Sequence, residues 1–377
     1  MTDHQSPARI CLATTELALG GAEKCLANLA CGLPSEHFSV CVLSLAPLPG
    51  PPKDALRKQL QDAGIPLDTL NLTSFRQLIS GTRRLRGYLD EHGIDLLQTF
   101  LYHANVLGSL AKKKTPDLIQ VSGIRVADPS GWRQLLERWA KRRWNHTVCV
   151  SQDVATFASD RLRLAENQLS VIPNGINADH HRNIQSDRNT ILGTTSEKRW
   201  LLTIGRLESQ KGLDWLLALA PALLQQCPQY DLVLVGDGSQ RSRLQQQARQ
   251  AGIADRLHFL GWRADIPQIL SASDMLLLPS RWEGMPNVLL EAMASSLPVV
   301  TRAVHGVEEI LETDGECQIV RDESPAAFVQ RVTQLTADPD RLAALGRQNL
   351  DRILAGFTLP QMVQQYSTLY RHLLQTR

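Results

Sequence analysis

Short apolar runs alternate with amphipathic stretches along almost the whole chain. The runs at 9–13, 38–45, 96–99, 118–121 and 147–151 are brief and rich in Val, Leu and Ile, which predicts strands. Between them, 22–33, 54–63 and 104–114 space their apolar residues as helices do. Strand, helix, strand in this rhythm means βαβ units and a parallel sheet with helices on both faces. The rhythm stops over 177–199, where His180, His181, Arg182 and Asn183 stand among few apolar residues. That stretch reads as a linker. The rhythm then resumes with strands at 200–204, 230–235, 257–260, 275–278 and 299–301 and helices at 213–226, 240–251 and 287–295.

The chain of 377 residues is too long for one ordinary core. The expected organisation is α/β: a first domain at 1–178, a linker at 179–198, a second domain at 199–358, and a last helix within 359–377 that packs back across the domains. Two doubly wound domains of this kind are expected to face each other across a central cleft. Parallel sheets bind ligands beyond the carboxyl ends of their strands, so two facing edges can hold two substrates.

Composition removes several classes. Lys and Arg number 40 against 38 Asp and Glu, a balance that argues against a protein whose task is coating nucleic acid. No apolar run approaches the ~20 residues needed to span a bilayer. The first residues are polar with Arg9 as their one basic residue, so no signal peptide is expected. Seven cysteines without a C-x-x-C pair fit neither a disulfide framework nor a zinc site, and point to a reducing cytoplasm. The basic residues are uneven. Residues 1–185 carry 21 Lys and Arg against 17 Asp and Glu, with local groups at Arg76, Arg83, Arg84 and Arg86, at 112–114, and at Arg133, Arg138, Lys141, Arg142 and Arg143.

Three stretches carry chemistry. The first is Ser280-Arg281-Trp282-Glu283-Gly284-Met285-Pro286-Asn287-Val288, running on to Glu291. A strand ends at Pro279 and a helix begins near Asn287, a plausible N-cap, so its first N–H groups form a phosphate site. Glu283 in the loop and Glu291 in the helix can face one ligand from two sides, and a carboxylate suits vicinal sugar hydroxyls. The second stretch is Gly205-Arg206 with Lys211-Gly212, directly after a strand. Two cations there can neutralise a leaving diphosphate without a metal. The third is Gly20-Gly21-Ala22-Glu23, where two glycines let backbone approach a ligand ahead of a helix. It is not G-x-G-x-x-G, so a nicotinamide site is poorly supported.

In this order, with Pro173-Asn174-Gly175-Ile176, Val235-Gly236-Asp237-Gly238, Phe259-Leu260-Gly261 and the Glu-x7-Glu segment, the motifs resemble family four of the glycosyltransferases. These are retaining, nucleotide-sugar-dependent enzymes of GT-B fold, with two Rossmann-like doubly wound domains. The match is strongest over 200–309 and weak over 46–95. The resemblance implies that Arg206 and Lys211 bind the donor diphosphate, that Glu291 holds the ribose and that Glu283 contacts the sugar. Backbone from Gly284, Met285, Pro286, Asn287 and Val288 adds to the sugar contact. Gly20 and Gly21 lie near the phosphate and the acceptor, Gly205 belongs to the donor site, Trp262 borders the base, and His103 contacts the sugar near the reacting carbon. Glu283, His103, Arg206 and Lys211 are the expected catalytic residues, with no cofactor and no metal. The implied reaction moves a hexose-type sugar to a hydroxyl of a lipid-linked or cell-surface glycan, as in polysaccharide or lipopolysaccharide assembly. The implied location is cytoplasmic, with peripheral contact at the inner membrane face. Alternatives are a non-catalytic nucleotide-sugar-binding protein and a GT-B epimerase or phosphorylase.

Other features read more plainly. Asp338-Pro339-Asp340 has the spacing of a metal-binding Asp-x-Asp but sits between helices, and reads as a turn. His180 and His181 read as solvated loop residues, while His305, after a strand, could touch substrate. Trp132, Leu135, Leu136, Trp139 and Ala140 form one helical stripe. It reads as the inner face of a helix packed on its own domain, in preference to a helix lying on an anionic membrane.

Overall fold

A computed structural model describes residues 6–18, 20–74, 77–112, 117–128, 130–182, 184–193, 197–312 and 315–376. Leu19, Arg76, Lys113, Lys114 and Asn183 lie outside the described residues. The chain divides into two compact units, one of Met1–Gly175 with Leu359–Arg377 and the other of Ile176–Thr358. Each is an α/β unit around a parallel sheet, the Rossmann-like halves of the GT-B architecture.

The strands of the first unit are β1 (Ala8–Thr14), β2 (Phe38–Ser44), β3 (Leu67–Thr69), β4 (Leu96–Phe100), β5 (Ile119–Ile124), β6 (His146–Cys149) and β7 (Leu169–Val171). Its helices are α1 (Gly21–Gly32), α2 (Ala55–Asp62), α3 (Leu78–Glu91), α4 (Tyr102–Lys112), α5 (Gly131–Ala140) and α6 (Gln152–Leu162). The sheet order is β3-β2-β1-β4-β5-β6-β7. The order reverses between β1 and β4, which lie side by side with Thr14 opposite Phe100. The central strands are buried on both faces: all five residues of β4 and all six of β5 are buried, the polar Gln98, Thr99, Gln120 and Ser122 among them.

The second unit begins with α7 (Arg188–Leu192) and has strands β8 (Arg199–Ile204), β9 (Tyr230–Val235), β10 (Leu257–Gly261), β11 (Met275–Leu278), β12 (Val299–Arg302) and β13 (Ile319–Val320). Its other helices are α8 (Leu213–Gln226), α9 (Arg241–Gln250), α10 (Ile266–Ser271), α11 (Asn287–Ala294), α12 (Val307–Leu311), α13 (Pro325–Thr336) and α14 (Pro339–Gly356). The order β10-β9-β8-β11-β12-β13 reverses between β8 and β11. The polar stretch 179–198 is tied to this unit. Arg188 donates to Asp274 at 2.8 Å, and the same carboxylate accepts the Trp200 N–H at the start of β8. His181 is buried and bonds Ser295 Oγ at 3.3 Å, so it is not the solvated loop residue its polarity suggests. Asp338 caps α14 by accepting the Arg341 N–H.

The last helix, α15 (Leu359–Gln375), belongs to the first unit. Met362, Val363, Tyr366 and Tyr370 join the core formed by β1, β2, α1 and α2, and Tyr370 Oη donates to Gln98 Oε1 of β4 at 3.0 Å.

α5 sits in an orientation that its apolar stripe does not foretell. The buried residues are Glu137 and Ala140, whereas Trp132, Leu135 and Trp139 are exposed. Burial, together with Asp128, raises the Glu137 carboxyl to about 7, against a hydrogen bond with Asn105 that lowers it. A carboxyl whose folded pKa lies above its ordinary 4.5 contributes stability that is full below that value and is lost as pH rises through about 7. Glu137→Gln, which cannot ionise, is expected to be more stable than the parent at pH 8 by up to about 3 kcal/mol, and nearly equal to it at pH 4. Melting temperatures at the two pH values check this, and a gap that does not widen with pH would contradict it.

Candidate active site

In each unit the motif residues stand where the strand order reverses. Loops leaving the two neighbouring strand ends there diverge to opposite faces of the sheet and leave an open crevice. Gly20 and Gly21 follow β1 and His103 follows β4. Gly205, Arg206 and Lys211 follow β8, while Glu283 and α11 follow β11.

In the second unit, glycines line the strand ends. Gly205 N–H donates to Val235 O at 3.0 Å, and Gly236 N–H donates to Gly261 O at 2.7 Å. A side chain on Gly236, at φ 133°, would collide with the Gly205 carbonyl. The ends of β8, β9 and β10 thus bring glycine backbone close together, with the Lys211 stem against Gly205 and the Arg241 guanidinium against Gly261, and half-buried Trp262 follows directly on Gly261. Gly212 (φ 63°) packs against the Pro279 carbonyl, which fixes the turn after Lys211 against the end of β11.

The Lys211 stem lies along Gly205, 3.3 Å from where a Cβ would stand. Its Nζ is 2.6 Å from Glu283 Oε1, and Ser280 Oγ donates to the same oxygen at 2.7 Å. Glu283 is buried and Lys211 largely so. Two charges withdrawn from water in this way need each other and the hydroxyl. The segment around them is pinned separately, by Arg281 N–H to Gln210 O at 2.8 Å and by Arg281 to both Asp214 oxygens at 2.9 Å. Arg206 is exposed at the strand end.

Pro286, in an extended conformation, is the N-cap of α11, and Asn287 is its first helical residue rather than the cap. The shift has a local cause: the Pro286 carbonyl accepts the Leu289 N–H at 3.0 Å, so the helix winds from there. Gly284, Met285 and Pro286 are buried, Asn287 and Val288 are half-buried, and Glu291 is buried one turn on. Gly306 (φ 76°) presses on the Gly284 carbonyl, which sets the loop carrying exposed His305 beside the entry to α11.

In the first unit, Gly20 caps α1 and its carbonyl accepts the Lys24 N–H at 3.0 Å. Glu23 is buried in this first turn, with its carboxylate where a Gly20 side chain would stand. An anion at this helix end would therefore meet a carboxylate already placed there. His103 lies in the first turn of α4, after Leu101, which takes a left-handed φ of 71° to make the turn from β4. Strain of this kind in a non-glycine residue at a strand end is held by the surrounding packing. Tyr102 stacks edge-on to His103 at 5.1 Å and to Trp132 at 5.7 Å, with the Arg133 guanidinium over its ring. Burial, then Arg133, lowers the His103 pKa, while Glu16 opposes them.

Ser280 and Gly236 stand within the quoted motifs, but no role was expected of either from sequence. A hydroxyl three residues before Glu283 and a glycine at a third strand end are weak signals until the register of the sheet is known. The structure brings Gly205, Lys211 and Glu283 together, with Arg206, Trp262 and α11 along the same sheet edge. Gly20, Gly21 and His103 belong to the other sheet.

The profile of "Glycosyltransferase Family 4" matches residues 19–180 and that of "Glycosyl transferases group 1" matches 198–338. The chain belongs to the family 4, group 1 glycosyltransferases. It is 25% identical over 352 residues to an Escherichia coli UDP-Gal:alpha-D-GlcNAc-diphosphoundecaprenol alpha-1,3-galactosyltransferase, covering 90% of each chain. It is 30% identical over 190 residues to the lipopolysaccharide core biosynthesis mannosyltransferase LpsB of Rhizobium meliloti, covering 48% of this chain and 54% of that one. Among solved structures, Anabaena Alr3699/HepE in complex with UDP-glucose superposes with a TM-score of 0.83 at 22% identity, over 97% of this chain and 99% of that one. WaaG, a glycosyltransferase involved in lipopolysaccharide biosynthesis, gives 0.74 at 17% identity, over 96% and 99%. At these identities the structural likeness shows the fold.

The surroundings of His103 give a direct test. Its imidazole is expected to be neutral at pH 7 and to titrate below the ordinary value of 6.5 in an NMR titration, with Arg133→Gln moving it upward. Titration above 6.5 in the parent would contradict the geometry.

Proposed function

We propose that this glycosyltransferase moves a hexose-type sugar, with retention, from a nucleoside-diphosphate sugar to a hydroxyl of a lipid-linked or cell-surface glycan. The observation that carries the donor half is the contact of Lys211, Glu283 and Ser280 beside the glycine strand ends. A flat base can lie over the glycine backbone of these strand ends, against Trp262. The diphosphate then falls to Arg206 and Lys211, whose charges offset the negative charge that grows on the leaving group. Glu283 offers a fixed, buried carboxylate to sugar hydroxyls and holds Lys211 at the strand end. Glu291 is assigned the ribose hydroxyls and the N-terminus of α11 the sugar.

In this reading the bond between the anomeric carbon and the β-phosphate oxygen breaks, and the acceptor oxygen bonds that carbon from the same face. The acceptor proton passes to the departing diphosphate. Neutral His103 is proposed as a hydrogen-bonding group toward a sugar hydroxyl. No metal is assigned a role, because the two cations and the helix end supply the positive field. The acceptor half is supported by the Escherichia coli relative, whose name gives a diphosphoundecaprenol acceptor and UDP-Gal as donor. Such an acceptor would bring the protein to a membrane surface. Among the described residues no helix is long and apolar enough to cross a membrane.

Thermal-shift titration with nucleoside diphosphates and their sugar conjugates, in EDTA, tests the donor half. One nucleoside diphosphate is expected to raise the melting temperature by binding the folded state. Glu291→Ala is expected to weaken that binding by about tenfold or more. Arg206→Ala and Lys211→Ala are expected to lower transfer by about 100-fold. Lys211→Ala also leaves Glu283 buried without its cation, so its melting temperature must be read alongside. Full transfer in both variants, or a shift that EDTA removes, would contradict the assignment. Release of nucleoside diphosphate only with acceptor present separates a transferase from a binding protein or an epimerase.

A further inference from the structure

Helix α5 carries Trp132, Leu135 and Trp139 on its outer face, while Leu136 is half-buried and Ala140 buried. Among the described residues five large apolar side chains are exposed, and three of them belong to this one helix: Trp132 (57%), Leu135 (65%) and Trp139 (38%). At spacing i, i+3, i+7 they lie on one face. The opposite face turns Glu137 and Ala140 into the unit. A soluble helix normally does the reverse, burying its tryptophans and exposing its glutamate. A contiguous apolar patch of this kind marks a surface with a partner.

Charge says which partner. Arg138, Lys141, Arg142 and Arg143 follow along the helix and the short turn after it. Among the described residues none of these four pairs with a carboxylate. They crowd one another: the Lys141 ammonium is pushed below its ordinary value by burial and by Arg138, Arg163 and Arg142. The Arg143 guanidinium lies over the Trp139 ring at 4.9 Å, which joins the cationic and apolar parts of the patch. Tryptophans beside unpaired cations suit the boundary between acyl chains and anionic headgroups.

We infer that the outer face of α5, with Leu135 and Trp139 at its centre and Arg138, Arg142 and Arg143 at its rim, docks on an anionic lipid bilayer. The same helix reaches the first unit's strand ends, because Trp132 stacks on Tyr102, which stacks on His103. Docking therefore holds the His103 corner at headgroup level, where a lipid-linked acceptor presents its sugar. That consequence rests on the proposed acceptor, whereas the docking itself does not.

Vesicle flotation with the full chain tests it without any transfer reaction. Vesicles of phosphatidylcholine with phosphatidylglycerol should carry the protein, pure phosphatidylcholine vesicles should carry much less, and added salt should release it. Leu135→Glu and the double variant Arg138→Glu/Arg142→Glu should each cut partitioning by about tenfold. All of these positions are on the surface, so circular-dichroism melts should match the parent. No binding to anionic vesicles, equal binding to neutral ones, or binding unchanged in both variants would overturn the inference. So would self-association that Leu135→Glu abolishes in the absence of vesicle binding, which would make a second copy the occupant. A nucleotide-induced thermal shift that persists in these variants would show that the donor reading stands even where docking fails.

Discussion

The reversal of strand order in each sheet is the constraint from which the functional arrangement follows. A parallel strand must send its chain onward from its carboxyl end, and at the reversal two neighbouring strands send it to opposite faces. In the second unit those strands are β8 and β11, and in the first they are β1 and β4. Residues far apart in sequence thereby leave adjacent strand ends. Lys211 and Glu283 are 72 positions apart yet 2.6 Å apart in space. Neither has its meaning without the other. A buried carboxylate beside a largely buried ammonium is stable only as a pair, and the pair holds one cation and one bidentate acceptor at fixed positions on the sheet edge.

Close backbone packing makes this possible. Gly236 on Gly205, Gly212 on Pro279 and Gly306 on Gly284 are contacts that a β-carbon would break. They keep the strand ends flat and bring the loops after β8, β11 and β12 together. The fold thus supplies closely packed glycine backbone, a cation beside it and the start of a short helix. The proposed reaction then needs little from side chains beyond charge and hydrogen bonds, since its difficulty would lie in stabilising a leaving diphosphate.

Much of the fold was legible in the sequence. Strands buried on both faces show as short, mainly apolar runs, and 96–99, 200–204, 230–235 and 275–278 fall within or on observed strands. Of the motif residues named from sequence, Gly205, Lys211 and Glu283 stand together in the structure, although a glycine or a cation after a strand is by itself a weak signal. What escaped did so for physical reasons. α3 buries a narrow stripe of Gly81, Leu85 and Leu89 among arginines, too thin to stand out as a periodic pattern. α5 has a clear apolar stripe, but periodicity cannot say which side of a helix faces the core. The inward side is fixed by Glu137 with Asn105 and by Arg133 over Tyr102, contacts that exist only in the folded unit. Likewise His181 looked solvated until Ser295, more than a hundred residues on, supplied its partner.

The central claim is that the donor nucleotide binds at the β8–β11 strand ends. Hydrogen exchange read by mass spectrometry, with and without a saturating nucleoside diphosphate, tests it most directly. The account predicts slowed exchange confined mainly to peptides covering 204–212 and 280–291, with the strand ends at 236 and 261 following. Protection that leaves both of those segments unchanged and appears instead around β1 and β4 would contradict it.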